Sequence, residues 1–97
     1  MSIDHRLAEL GIVLPEPAAP VAAYVPTVEA GGLLFISGQV SQANGQRIVG
    51  RLGETMDVAA GQTAARTCGI MLLAQMKAAL GSLDRVARVV KLGVFVN

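Results

Sequence analysis

At 97 residues the chain has room for one domain and not two, and with 53% apolar against 15% charged residues it can bury a core. A net charge of +1, with one Tyr, two Phe and no Trp, excludes the basic, stacking surface of an ordinary nucleic-acid binder. A single cysteine excludes an internal disulfide and a cysteine-cluster metal site, and no run of 18 apolar residues offers a transmembrane helix.

The N-terminus carries Asp4, His5 and Arg6 and lacks the apolar run and cleavage site of a secretory signal, so a reducing cytoplasm is the expected setting. Ser2 can cap a short helix, Ile3 to Leu10, closed by Gly11. Ile3, Leu7 and Leu10 fall on one face of it, which suits an arm (residues 1–14) that docks on the body. His5 is read as a solvated helix residue, since a lone histidine is no metal site. Residues 15–20, PEPAAP, are an extended linker, because proline fixes φ and removes a donor.

Ala23 to Glu29 reads as a strand with Pro26 at an edge or irregular position, followed by an Ala30-Gly31-Gly32 turn. The strand Leu33 to Val40 then returns antiparallel as a hairpin. Its four large apolar residues run into Ser37-Gly38-Gln39, and a polar tip on a buried strand suits either a pocket or a turn. Ser37 and Gln39 would lie on the same side of the pleat. Asn44-Gly45 is the strongest turn signal and separates the Phe35 strand from a short one at Arg47 to Val49.

Asp57 caps one long helix, Val58 to Leu80, with Gly81 just beyond it. Thr63, Arg66, Thr67 and Lys77 share one side. Val58, Gly61, Ala64, Ala65, Cys68, Leu72, Met76, Ala79 and Leu80 share the other, which is the expected buried face. Cys68 and the four methionines read as packing. Gly61 and Gly69 cost the helix about 1 kcal/mol each relative to Ala, so they suggest close approaches. Ser82 caps a single turn, Leu83 to Val86. Val89 to Val96 then reads as a central strand buried on both faces, giving a β-β-β-α-β order within an α+β class. One helix on four strands is thin at this length, so burial by partner subunits or by further sequence is expected. A monomer of residues 1–97 would fold poorly, its last strand presenting an apolar edge.

Tyr24-Val25, Gly31-Gly32, Leu33 to Val40 with its Ser-Gly-Gln, Gly45, the alanine-rich helix, Gly81 and Val90-Lys91-Leu92-Gly93-Val94-Phe95-Val96 occur in an order that resembles the RidA/YjgF family of enamine/imine deaminases, also called L-PSP endoribonucleases. The N-terminal arm and the helix sequence look most like a longer, less characterised branch. The resemblance covers the whole chain and about the first two-thirds of a family member. It implies a chorismate-mutase-like sheet with helices on one face, here without the C-terminal α-β-β, and a homotrimer with pockets between subunits. By position it implies that Tyr24, Ser37 and Gly38 line the pocket and that Gln39 continues the motif. It implies no metal and no organic cofactor. The family's carboxylate-binding arginine and its acidic residue come from segments after Asn97. None of Arg47, Arg51, Arg66, Arg85 or Arg88 matches that arginine's motif, so no catalytic residue is assigned. The proline that often follows the motif is Ser41 here.

Three functions follow in order of preference: hydrolytic deamination of a 2-aminoacrylate-type enamine/imine, a non-catalytic small-molecule-binding trimer, and an RNA-cleaving translation inhibitor. The near-neutral charge argues against the last.

Overall fold

The computed structural model describes residues 2–17, 19 and 22–97; of the expected linker, Ala18 and Pro20 lie outside the described residues. The element order is α1 (Ile3–Glu9), β1 (Thr27–Ala30), β2 (Leu33–Ile36), β3 (Gln42–Ala43), β4 (Gln46–Arg47) and α2 (Val58–Leu80), with a 3₁₀ turn at Leu83–Arg85. The strands pair as two antiparallel hairpins, β1 with β2 and β3 with β4.

Both hairpins turn on two residues with positive φ: Gly31 and Gly32 at 59° and 78°, and Asn44 and Gly45 at 53° and 79°. That pair of values gives a tight turn whose twist matches the flanking strands, and Gly and Asn adopt it at least cost. The Asn44-Gly45 signal therefore makes a hairpin of its own. It separates the Phe35 strand from a short one, as expected, but that strand is Gln46–Arg47 in place of Arg47 to Val49, and it pairs with Gln42–Ala43.

In the first hairpin Val28 faces Phe35 and Ala30 faces Leu33, while Thr27 faces Ile36 and Glu29 faces Leu34. Directly paired residues share a face. Leu34 and Ile36 are half-buried, on the side where β2 meets α2. Val28, Leu33 and Phe35 stay exposed on the other. A strand expected to be buried is thus covered on one face only.

α2 begins at Asp57, whose Oδ1 accepts from the Ala60 N–H at 2.8 Å, and ends where the Gly81 N–H donates to the Lys77 carbonyl at 2.8 Å. Its buried residues are Met71, Ala74 and Gln75, flanked by half-buried Ala64, Thr67 and Cys68. This stripe is rotated by roughly a quarter turn from the expected one. Val58, Ala65 and Ala79 are exposed, and Thr67, placed on the polar side, faces inward. The helix is apolar nearly all round, so its neighbours, and not its own periodicity, choose the covered side.

A polar contact makes part of that choice. The Thr67 hydroxyl accepts from the Gln42 N–H at 3.2 Å and donates to the Ala64 carbonyl at 2.6 Å. It pins β3 to the helix. Gly61 permits the close approach of Leu52, whose Cδ2 would lie 2.7 Å from an added Cβ. Gly69 is exposed and meets nothing within 4 Å, so the expected close packing there is absent.

The core sits where α1, the 3₁₀ turn and α2 meet. Leu83 is 2% exposed and Leu7 8%. The Ile3 N–H donates to Asp84 Oδ1 at 2.8 Å, and Lys77 Nζ lies 3.1 Å from Asp4 Oδ1. The arm docks as expected, but through Leu7, with Ile3 and Leu10 exposed. His5 forms an exposed pair with Glu9 at 3.0 Å.

Residues 89–96 form no strand, contrary to expectation, and every one is exposed. An apolar run becomes a strand only where an edge with free donors and acceptors is offered to it. Here the segment is held at its end, where the Asn97 backbone oxygen accepts from the Leu52 N–H at 2.9 Å and Asn97 Nδ2 donates to the Gly50 carbonyl at 3.2 Å.

Replacing Leu83 by Ala is expected to cost about 2–4 kcal/mol, because it opens a cavity at the most enclosed side chain; urea unfolding measures it. Thr67→Val keeps the shape and removes the acceptor for Gln42. The expected loss is about 1–2 kcal/mol, with faster hydrogen exchange at the Gln42 amide and little change at Ala60.

Candidate functional site

The expected site residues Ser37, Gly38 and Gln39 leave the strand because of Pro26. The Ser37 N–H donates to the Pro26 carbonyl at 2.9 Å. Proline has no N–H to return, so the ladder ends and β2 stops at Ile36, short of the expected Val40. Gln39 then folds back, its Nε2 donating to the Ser37 carbonyl at 2.9 Å. One N–H and the carbonyl of that amide remain for a ligand.

Tyr24 lies in a bend before β1, not in the strand expected from Ala23, and its N–H donates to the Ala22 carbonyl at 2.9 Å. Ser41 closes the second hairpin from both sides. Its carbonyl accepts from the Ile48 N–H at 2.9 Å, and its Oγ donates to the Ile48 carbonyl at 2.7 Å. A proline at this position would lack the hydroxyl.

These elements line a partly open cavity of about 140 Å³. Tyr24, Ser37, Gly38 and Gln39 line it together with Arg47 of β4 and Gln75 of α2. All four residues singled out by resemblance therefore meet in one place. The volume suits a metabolite more than a drug-sized ligand, whose sites start at about 300 Å³. The Ser37 and Tyr24 hydroxyls make no hydrogen bond among the described residues. Arg47 is the one charged side chain on the described wall, which has no carboxylate, histidine, cysteine or lysine. Cys68 is half-buried and lies outside this wall.

Arg47 and Gln75 were not singled out in the sequence. A glutamine inside the apolar run Ile70 to Met76 was the available signal for Gln75, which is only 3% exposed. Arg47 had no signal beyond its place after the Asn-Gly turn. A shallower groove of about 520 Å³ lies across the second hairpin, lined by Pro15, Glu16, Asn44, Thr67 and Met71 among others. Among the described residues no three His, Cys, Asp or Glu side chains converge on a metal-sized point, and no helix is long and apolar enough to cross a membrane.

Residues 4–97 match the sequence profile of the family described as "YjgF/chorismate mutase-like, putative endoribonuclease". Over 96 residues the chain is 51% identical to Protein TCP17 of Trypanosoma cruzi, covering 98% of this chain and 60% of that protein. The crystal structure of Atu1372 from Agrobacterium tumefaciens superposes with a TM-score of 0.77 at 44% identity, over 91% of this chain and 54% of that one. A "putative endoribonuclease" from Shewanella oneidensis MR-1 superposes with a TM-score of 0.82 at 35% identity, over 88% of this chain and 57% of that one. The chain thus spans three-fifths or less of the length of these relatives. With the profile matched over nearly its whole length and the fold shared with both crystal structures, the chain belongs to the YjgF/chorismate mutase-like family.

Proposed function

We propose that the protein acts as a hydrolytic deaminase on enamine/imine intermediates of the 2-aminoacrylate type, releasing a 2-keto acid and ammonia. The observation that carries this reading is the convergence of Tyr24, Ser37, Gly38 and Gln39 on one small cavity, with hydroxyl and amide groups free to bind a planar polar molecule. In the reaction the oxygen of water bonds to the imine carbon, the C=N electron pair moves to nitrogen, and nitrogen takes a proton. The carbinolamine then loses ammonia as the C=O bond forms. Ser37, Gln39 and Tyr24 are suited to hold and orient the substrate. A carboxylate or histidine to move the proton would have to come from a neighbouring subunit or from sequence such as the relatives' additional length, since the described wall has neither.

The assembly that fits this role is a homotrimer with the cavity completed between subunits. Its support is the apolar surface that one chain leaves open: the Val28, Leu33 and Phe35 face of the first hairpin, and the run Val89 to Val96. Non-catalytic ligand binding is the second reading, favoured by that same lack of a carboxylate or histidine on the described wall. RNA cleavage, which the descriptions of the family and of the Shewanella protein name, is disfavoured. A single cation on the wall is little to offer a phosphate backbone.

The test is release of ammonia and keto acid from enzymatically generated 2-aminoacrylate, with native mass spectrometry of the same sample expected to give three copies. Acceleration over the spontaneous reaction is expected, with Ser37→Ala slowed about tenfold by the loss of one ligand hydrogen bond. Absence of acceleration together with thermal stabilisation by 2-keto acids would overturn the deaminase reading in favour of binding.

A further inference from the structure

We infer that helix α1 is the latch of a strap: docked, it holds one rim of the cavity in place, and undocked, it lets that rim lift and widens the opening. The inference concerns access to the cavity and stands whichever ligand or reaction the cavity serves.

The latch is made of one apolar and two polar contacts. Leu7 is buried where α1 meets the 3₁₀ turn. The Ile3 N–H donates to Asp84 Oδ1 at 2.8 Å, and Asp4 Oδ1 lies 3.1 Å from Lys77 Nζ. The chain then leaves the helix in a fixed direction. Gly11 takes a φ of 71°, and the Ile12 N–H donates to the Leu7 carbonyl at 2.9 Å, a closure that a left-handed glycine allows at a helix end. Ile12 is therefore tied to the docked residue itself.

Beyond the latch the chain lies along the body. Half-buried Ile12 and Leu14 alternate with exposed Val13 and Pro15, the pattern of an extended segment with one side inward. Val13, Pro15 and Glu16 line the shallower groove together with Thr67 and Met71 of α2. Further along, Ala19 and Tyr24 line the cavity. Gln42 lines both, so the same stretch of chain borders two adjoining hollows. At its far end the strap is fixed where the Pro26 carbonyl accepts from the Ser37 N–H. Ala19 and Tyr24 thus sit between two anchors, one in the first hairpin and one in α1. Release of α1 leaves their rim held at one end. An element with few buried side chains is among the first to open, and α1 buries one, Leu7.

The experiment reads access as the alkylation rate, with iodoacetamide, of a thiol placed on the cavity wall by Ser37→Cys in the Cys68→Ser protein. Val28→Cys, on the exposed face of the first hairpin, supplies the control thiol. Two substitutions release the latch. Leu7→Ala removes the buried side chain. Ile3→Pro removes the N–H that Asp84 accepts, at the first helical position, where proline is tolerated and the preceding Ser2 is already extended. Hydrogen exchange at the Arg6 and Ile12 amides reports undocking, and circular dichroism with the urea midpoint reports the fold. With the latch intact, the Ser37→Cys thiol should react more slowly than the control. Leu7→Ala should speed it about tenfold or more and Ile3→Pro about threefold, each in step with arm exchange, while the control rate stays fixed. Should Leu7→Ala not fold, Ile3→Pro decides alone. A Ser37→Cys rate unmoved in a folded variant whose arm amides exchange faster would overturn the inference. So would a control thiol that speeds equally, a wall thiol as fast as the control in the latched protein, or arm exchange unmoved by the substitutions.

Discussion

Pro26 can accept a hydrogen bond from Ser37 and cannot return one. This one-sided bond ends the first hairpin at Ile36 and turns Ser37, Gly38 and Gln39 out of the ladder. Their polar groups are then spent on a cavity wall and not on strand pairing. Had the ladder run on to Val40, the pleat would have sent Gly38 to the face opposite Ser37 and Gln39. Once the chain leaves the sheet, all three can face one space, and the Gln39 amide holds the bend by closing onto the Ser37 carbonyl.

The second hairpin depends on a similarly small set of polar contacts. Ser41 ties its two strands together, and Thr67 ties it to the helix. Neither bond contributes much net stability alone, about 1 kcal/mol for a typical hydrogen bond, but each removes an alternative placement. α2 offers apolar residues on several sides, so hydrophobic burial is nearly indifferent to how the helix is rotated. The Thr67 hydroxyl and the Gln42 N–H are not indifferent, since each needs its partner when water is excluded. The rotation that satisfies them also brings Gln75 to the cavity.

Among the described residues the buried apolar side chains are Leu7, Met71, Ala74 and Leu83. Val28, Phe35 and the run Val89 to Phe95 lie in the open. The chain spans 54–60% of the lengths of the relatives it matches. Tyr24, Ser37 and Gln39 line one cavity, and its described wall has no carboxylate or histidine.

Local chemistry was legible in the sequence. Asp57 and Gly81 bound the long helix, Ser2 and Ser82 cap their turns, and both tight turns fall where Gly-Gly and Asn-Gly stand. Each of these depends on residues within four positions of one another, so the sequence carried the whole cause. Tyr24, Ser37, Gly38 and Gln39 stand out by resemblance, through a short motif at a strand end, and all four line the same cavity. The covered face of α2, the fate of Val89 to Val96, the separate second hairpin and the arrival of Arg47 at the cavity were not legible. Periodicity reports that a residue is apolar; it does not report what is available to cover it. A strand exists only where an edge accepts it, and Arg47 reaches the wall only because Thr67, 20 positions further on in the sequence, holds its hairpin down. Those outcomes are set by contacts between distant segments, and only the tertiary structure decides them.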